Sequence, residues 1–231
     1  TAFEGRLVQG MVARTLVEDW AILGPATWVT LKIAMMALVV AVIGGVSLAV
    51  LFSLSRWAEM SFYPFAVILQ VTPVVAIAPL IFIYVENRTI GLLLCAWIVA
   101  FFPILSNTSL GLRSVDRNLA DLYRIYGASR WQRLIHLQLP SALPYFLGGL
   151  RIAGGLSLIG AVVAEFVAGT AGQNTGLASR ILESSFRNEI PRMFAALFLV
   201  SVLGVLIFLA TAWLSRAVLG HWHESEIKRE L

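Results

Sequence analysis

Five long apolar stretches, each able to cross a bilayer, leave this sequence few folds to adopt. They run near residues 27–52, 62–85, 90–112, 144–168 and 193–219, and a helical crossing takes roughly 20 apolar residues. The rest of the composition agrees: 59% of the 231 residues are hydrophobic and 13% are charged, too little polar surface for a soluble domain of this size. No internal repeat, low-complexity segment or linker divides the chain. Residues 1–231 therefore read as one all-α integral membrane domain, a polytopic helical bundle with five spans.

The segments between the stretches are short. A turn covers 53–61, a tighter one 86–89, a basic segment 113–143 and a glycine-rich loop 169–192. Before the first stretch, Leu7, Val8, Met11, Val12, Leu16 and Val17 recur at helical spacing. That piece is too polar to span and is expected along the membrane surface. Pro73, Pro79 and Pro103 are expected to interrupt spans, freeing backbone groups that protein or cavity water must satisfy.

The most distinctive loop is 116–140, DRNLADLYRIYGASRWQRLIHLQLP. Asp116 is placed to cap a first helix, on which Leu119, Leu122, Tyr123 and Tyr126 form one apolar stripe. Gly127 suits the left-handed turn that ends a helix. Ser129 starts a second helix carrying Trp131, Leu134 and Ile135, and Pro140 after Leu139 is expected to stop it. The result is a helix–Gly–helix knuckle. Physics alone leaves two uses open: contact with a partner, or burial in the headgroup layer.

Arg113, Arg117, Arg124, Arg130 and Arg133 outnumber Asp116 and Asp121 here, which places the knuckle on the cytoplasmic side. Alternation then puts loop 169–192 outside, although its own Arg180, Arg187 and Arg192 oppose the bias. The tail with Arg216, Lys228 and Arg229 falls inside. Residues before Thr27 fall outside, so a cytoplasmic start requires one more span upstream of Thr1. The formal charge of +4 sits at span ends or is scattered, which fits anchoring and no nucleic-acid partner.

From Gly127 to Pro140 the sequence resembles the Glu-Ala-Ala-x3-Gly-x9-Ile-x-Leu-Pro signature of binding-protein-dependent ABC importer permeases. Gly127, Leu139 and Pro140 match outright, and Leu137 stands for Ile. Asp121 takes the Glu position, while Leu122 and Tyr123 depart from the two alanines. Leu54-Ser55-Arg56, Pro73, Pro79-Leu80, Phe102-Pro103, Gly148-Gly149-Leu150-Arg151, Ala164-Glu165, Gly176-Leu177 and Trp222-His223 follow in order. Together they resemble the nitrate/sulfonate/taurine/pyrimidine-precursor branch, from about Trp28 to His223.

The resemblance implies six spans in the full protein and a multi-pass position in the bacterial cytoplasmic (inner) membrane. It makes the knuckle a coupling helix seated on an ATPase, with Asp121, Leu122, Tyr123, Gly127, Ala128, Leu139 and Pro140 as coupling residues. It also implies a second permease subunit as a homodimer partner, two ABC ATPase subunits inside and a solute-binding protein outside. ATP and Mg belong to the ATPase, and no cofactor to this chain. The only lysines, Lys32 and Lys228, follow no glycine, so the chain lacks a Walker A loop.

Enzymatic constellations are missing from the sequence. His136, His221 and His223 offer no i, i+4 metal pair, and the stretches hold no histidine or aspartate for an intramembrane hydrolase. Cys95 is alone and forms no disulfide framework. Lys32, near the outer end of the first stretch, is expected to snorkel. In the fourth stretch Gly154, Ser157, Ala161, Ala164 and Ala168 form a small-residue seam, echoed by Ala34, Ala37, Ala41 and Gly44 in the first. Glu165 borders that seam, so Glu165, Ala161, Ser157 and Gly154 are the pathway candidates. A structural hydrogen bond from Glu165 to a neighbouring span is the alternative. A secondary transporter or channel is the rival function, though such carriers need ionisable midplane residues. A non-transporting scaffold is a third.

Overall fold

The computed structural model describes residues 2–169 and 175–220, with side chains from residue 10 onward. Expectations that fall on His221, Trp222, His223, Lys228 and Arg229 lie outside the described residues. Every regular element described is helical. The surface segment forms α1 (Ala2–Glu18), which packs against the last span and the start of the first.

The first stretch starts earlier than its composition suggests. Helix α2 (Trp20–Leu54) is 35 residues long and runs straight through Pro25. Its joint with α1 is held by Asp19, whose Oδ2 lies 2.7 Å from Nε of Arg192. At its far end Ser55 turns extended and caps the next helix, accepting from the backbone N–H of Ala58.

The second stretch is not one straight span. It divides into α3 (Arg56–Val71) and α4 (Val74–Tyr84), bent by 103° across the break. Pro73 excludes the helical conformation from Thr72 and offers no N–H, and Thr72 is extended with ψ 120°. Of the three prolines expected to interrupt spans, only this one does: Pro79 lies inside α4 and Pro103 inside α5 (Arg88–Arg113). A single turn of chain sterics therefore redirects the second stretch.

Among the described residues, four helices are long and apolar enough to cross alone, and the bent pair makes a fifth crossing if counted as one. They are α2, α5, the helix that continues the knuckle into α8 (Leu139–Ala168), and α10 (Ile190–Leu219). Short α9 (Leu177–Phe186) lies between α8 and α10, within the loop expected over residues 169–192. Helix α8 is the centre of the bundle, touching α2, α4, α5, α9 and α10.

Close packing against α5 runs the whole length of α8. A Cβ on Gly111 would meet Ala142 Cα at 2.7 Å, one on Gly149 would meet the Pro103 carbonyl oxygen at 2.8 Å, and one on Gly160 would meet Ala96 Cα at 2.8 Å. These three positions accept only glycine, and in lipid such backbone approach supplies the van der Waals contact that holds helices together. An adjacent face of α8 carries the small-residue seam, where Gly154 lies against Ile207 and Thr211 of α10. Ala34, Ala37 and Ala41 of α2 are fully buried.

Gly160→Val should force α5 and α8 apart, costing about 1–3 kcal/mol. Gly155→Ala should be neutral, because a Cβ there meets nothing within 4 Å. Thermal unfolding in detergent checks both: the first variant is expected to melt earlier, the second at the parent temperature.

Candidate functional site: a capped hairpin and an interior latch

The knuckle forms as local chemistry dictates. Asp116 accepts from the N–H groups of Asn118 at 2.7 Å and Leu119 at 3.2 Å, starting α6 (Arg117–Ile125). Gly127 ends it at φ +68°. The Gly127 N–H reaches the Arg124 carbonyl, and the Ala128 N–H reaches the Tyr123 carbonyl at 2.9 Å, the paired bonds of a Schellman turn. Ser129 then opens α7 (Arg130–Arg133) with a full capping box. Its Oγ accepts from the Gln132 N–H, and Gln132 Oε1 accepts from the Ser129 N–H at 2.8 Å.

The second helix does not stop at Pro140. A five-residue π turn at Leu134–Gln138 joins α7 to α8 without a break, so residues 130–168 form one 39-residue helix. Proline's ring normally clashes with the carbonyl four residues earlier. The wider π turn, with the Leu139 N–H bonded to the Leu134 carbonyl, makes room for it. The knuckle is thus one short helix hinged by Gly127 onto the end of a span.

Its outward surface is unusually apolar. Tyr126 is 82% exposed and Ile125 81%, with Leu122 and Trp131 also exposed. A groove of about 480 Å³ lies between the two arms, bounded by Leu122, Tyr123, Tyr126, Ala128, Gln132 and His136. Asp121 and Gly127 are exposed beside it, whereas Leu139 and Pro140 lie farther along, where the helix enters the bundle. The predicted coupling residues therefore fall into two groups, five at the tip and two at the root.

The root is tied to the rest. Ser53 Oγ donates to Gln138 Oε1 at 3.1 Å, and Gln138 Nε2 donates to the Leu112 carbonyl at 3.4 Å. A basic cavity of about 1290 Å³ opens beside it, edged by Arg56, Arg113, Arg117, Arg130 and Arg133. Glu59 pairs with Arg113 across this cavity.

At the opposite end, Glu165 is fully buried. Its Oε1 accepts from Thr30 Oγ1 at 2.8 Å, and its Oε2 accepts from the Ala178 N–H at 2.9 Å. Thr30 Oγ1 in turn accepts from the Leu177 N–H at 2.9 Å. These are free donors of the first turn of α9, so one carboxylate and one hydroxyl cap α9 and join it to α2 and α8. Gly176 is fitted to this latch, since a Cβ there would collide with the Glu165 carboxylate. Arg88 Nη2 donates to the Gly169 carbonyl at 2.8 Å, and Ser179 Oγ donates to the same oxygen at 3.0 Å.

The four residues expected on a pathway lie within the packed bundle. Gly154, Ser157, Ala161 and Glu165 are all buried inside the chain, and Ser157 Oγ donates to the Gly154 carbonyl. Glu165 makes the hydrogen bond to a neighbouring span that was its alternative role. Thr30, Arg88 and Ser179 were missed in the sequence. The available signal was Glu165 itself, an unpaired carboxylate in an apolar stretch, with Gly176-Leu177 shortly after it.

Residues 25–220 match the model of the binding-protein-dependent transport system inner membrane component family, and the chain belongs to that family. It is 36% identical over 170 residues to the riboflavin transport system permease protein RibX of Chloroflexus aurantiacus, covering 74% of this chain and 62% of that protein. It is 35% identical over 190 residues to the formylaminopyrimidine transport permease protein ThiX of Halalkalibacterium halodurans, covering 82% and 74%. The fold superposes on the MetNI methionine ABC transporter in inward-facing conformations, with a TM-score of 0.70, 19% identity, and coverage of 87% and 98%.

Glu165→Gln keeps the shape of the latch but leaves one acceptor for two donors, which should cost about 1–3 kcal/mol. Thr30→Val should destabilise in the same direction. Because the two share partners, the double variant should lose less than the sum. Thermal unfolding of the single and double variants measures this coupling.

Proposed function

We propose that this chain is the permease subunit of an ATP-driven importer that moves a small polar solute delivered by an extracytoplasmic binding protein. It works as a homodimer with two ABC ATPase subunits on the knuckle side. ATP and Mg are held by the ATPases and not by this chain. The knuckle side is cytoplasmic, in keeping with its arginine excess, and the latch side is external.

The observation that carries this reading is the hairpin. It is fixed by caps at Asp116, Gly127 and Ser129, yet it presents Leu122, Ile125 and Tyr126 to solvent. Rigid geometry with an exposed apolar tip suits insertion into a cleft of another protein. The second arm of the hairpin continues unbroken from Arg130 to Glu165, so displacement of the knuckle by the ATPase reaches the outer latch through that arm. Alternating access follows from tilting that arm against α5.

Asp121→Arg or Gly127→Pro should leave membrane insertion intact and release the ATPase from detergent-solubilised complexes. Removing one side of a buried interfacial charge pair costs roughly 2–5 kcal/mol. Co-purification of ATPase with the permease reads this out, and full retention together with full transport would overturn the coupling role.

Topology has its own test. In a Cys95→Ala background, a cysteine replacing Ser129 should resist an impermeant thiol reagent until cells are opened. One replacing Asn174 should react in intact cells, and the reverse pattern would invert the orientation.

A further inference from the structure

One charge in the bundle stands apart from both the hairpin and the latch. Arg88, Arg113, Glu165, Arg192 and Arg216 lie toward the ends of their helices, and Lys32 lies two residues from Thr30, at the level of the latch. Arg151 does not. The hydrogen bonds among Ser53, Gln138 and Leu112 mark one level of the bundle, and the Thr30–Glu165 bond marks the other. Arg151 is thirteen residues after Gln138 and fourteen before Glu165, so at 1.5 Å per residue it sits about 20 Å from each. Arg151 thus lies midway along the apolar zone between the two levels, farther from either than an arginine side chain extends.

Its surroundings are open. Arg151 is exposed, its guanidinium carbon lies 5.5 Å from the centre of the Phe208 ring, and it makes no ion pair among the described residues. On the same face, a Cβ at Gly148 or Gly155 would meet nothing within 4 Å. These glycines lie one turn to either side and leave space around the cation. A guanidinium at this depth against lipid is strongly disfavoured, so such residues face a protein interior or a water-filled cavity. Phe208 steadies the side chain by a cation–π contact while contributing no negative charge to neutralise it.

We propose that Arg151 lines the solute pathway between this chain and the second permease copy, and there engages an anionic oxygen group of the solute. This rests on the permease reading above and adds the class of substrate to it. The open face of α8 formed by Gly148, Arg151 and Gly155 then carries the solute, in place of the packed seam formed by Gly154, Ser157 and Ala161. Phe208 holds the guanidinium against one wall, and the two glycines leave room for a ligand.

The test uses the assembled importer in membrane vesicles, in the Cys95→Ala background, with single cysteines at Gly155 and separately at Gly148. The probes are the anionic sulfonatoethyl and the cationic trimethylammonium-ethyl methanethiosulfonates. Both sites should react, with the anionic to cationic rate ratio raised about tenfold by the nearby charge, and Arg151→Gln should collapse that increase while Arg151→Lys preserves it. Inert cysteines at both sites would place this face against lipid or in a dry contact. A ratio unaffected by Arg151→Gln would mean that the charge is already neutralised by a partner group. Either result overturns the assignment. ATPase retained in the same vesicles keeps the permease reading intact in both cases, whereas its absence from the parent complex would instead count against that reading.

Discussion

The glycine-lined contact between α5 and α8 is the constraint on which the rest of the structure depends. Gly111, Gly149 and Gly160 bring the two backbones together at three levels, where no side chain larger than hydrogen fits. In lipid, apolar side chains gain nothing by leaving their solvent, so association rests on such close contact. With α5 fixed on one side, α8 offers its small seam to α2 and α10 on another and keeps a third face open. The central helix is therefore both a packing axis and a surface.

That geometry explains why the two ends of the chain are chemically different. At the knuckle end the polar groups are satisfied locally by caps, leaving the tip free to meet another molecule. At the latch end they are satisfied across elements: Glu165 and Thr30 serve the start of α9, and Arg88 and Ser179 serve the end of α8. One end leaves apolar side chains uncovered, and the other holds α9 in register with α2 and α8. The uninterrupted 39-residue helix between them makes the two ends mechanically one piece.

Much of this was legible in the sequence because it is local. Span length, the caps at Asp116 and Ser129 and the turn at Gly127 each depend on a few neighbouring residues, and the family follows from their spacing. What was hidden depends on distant contacts or on competition between rules. Pro140 reads as a stop, but a π turn absorbs it; Pro73 and Pro79 read alike, but only Pro73 bends the chain. Glu165 reads as a pathway group or as a hydrogen-bonding one, and its partner Thr30 lies 135 residues away, beyond the reach of local patterns. Arg151 passed as one letter of a motif, and only its depth and open surroundings give it a distinct role.

The most direct measurement of the central claim is photo-cross-linking from the knuckle in native membranes. A benzophenone would be attached to a single cysteine replacing Leu122 or Tyr126, with one replacing the exposed span residue Trp213 as the comparison. A hairpin seated on the ATPase gives a cross-link to it from both knuckle positions, altered in yield by ATP, and none from Trp213. Cross-linking to lipid alone from Leu122 and Tyr126, with the ATPase present in the membranes, would contradict it.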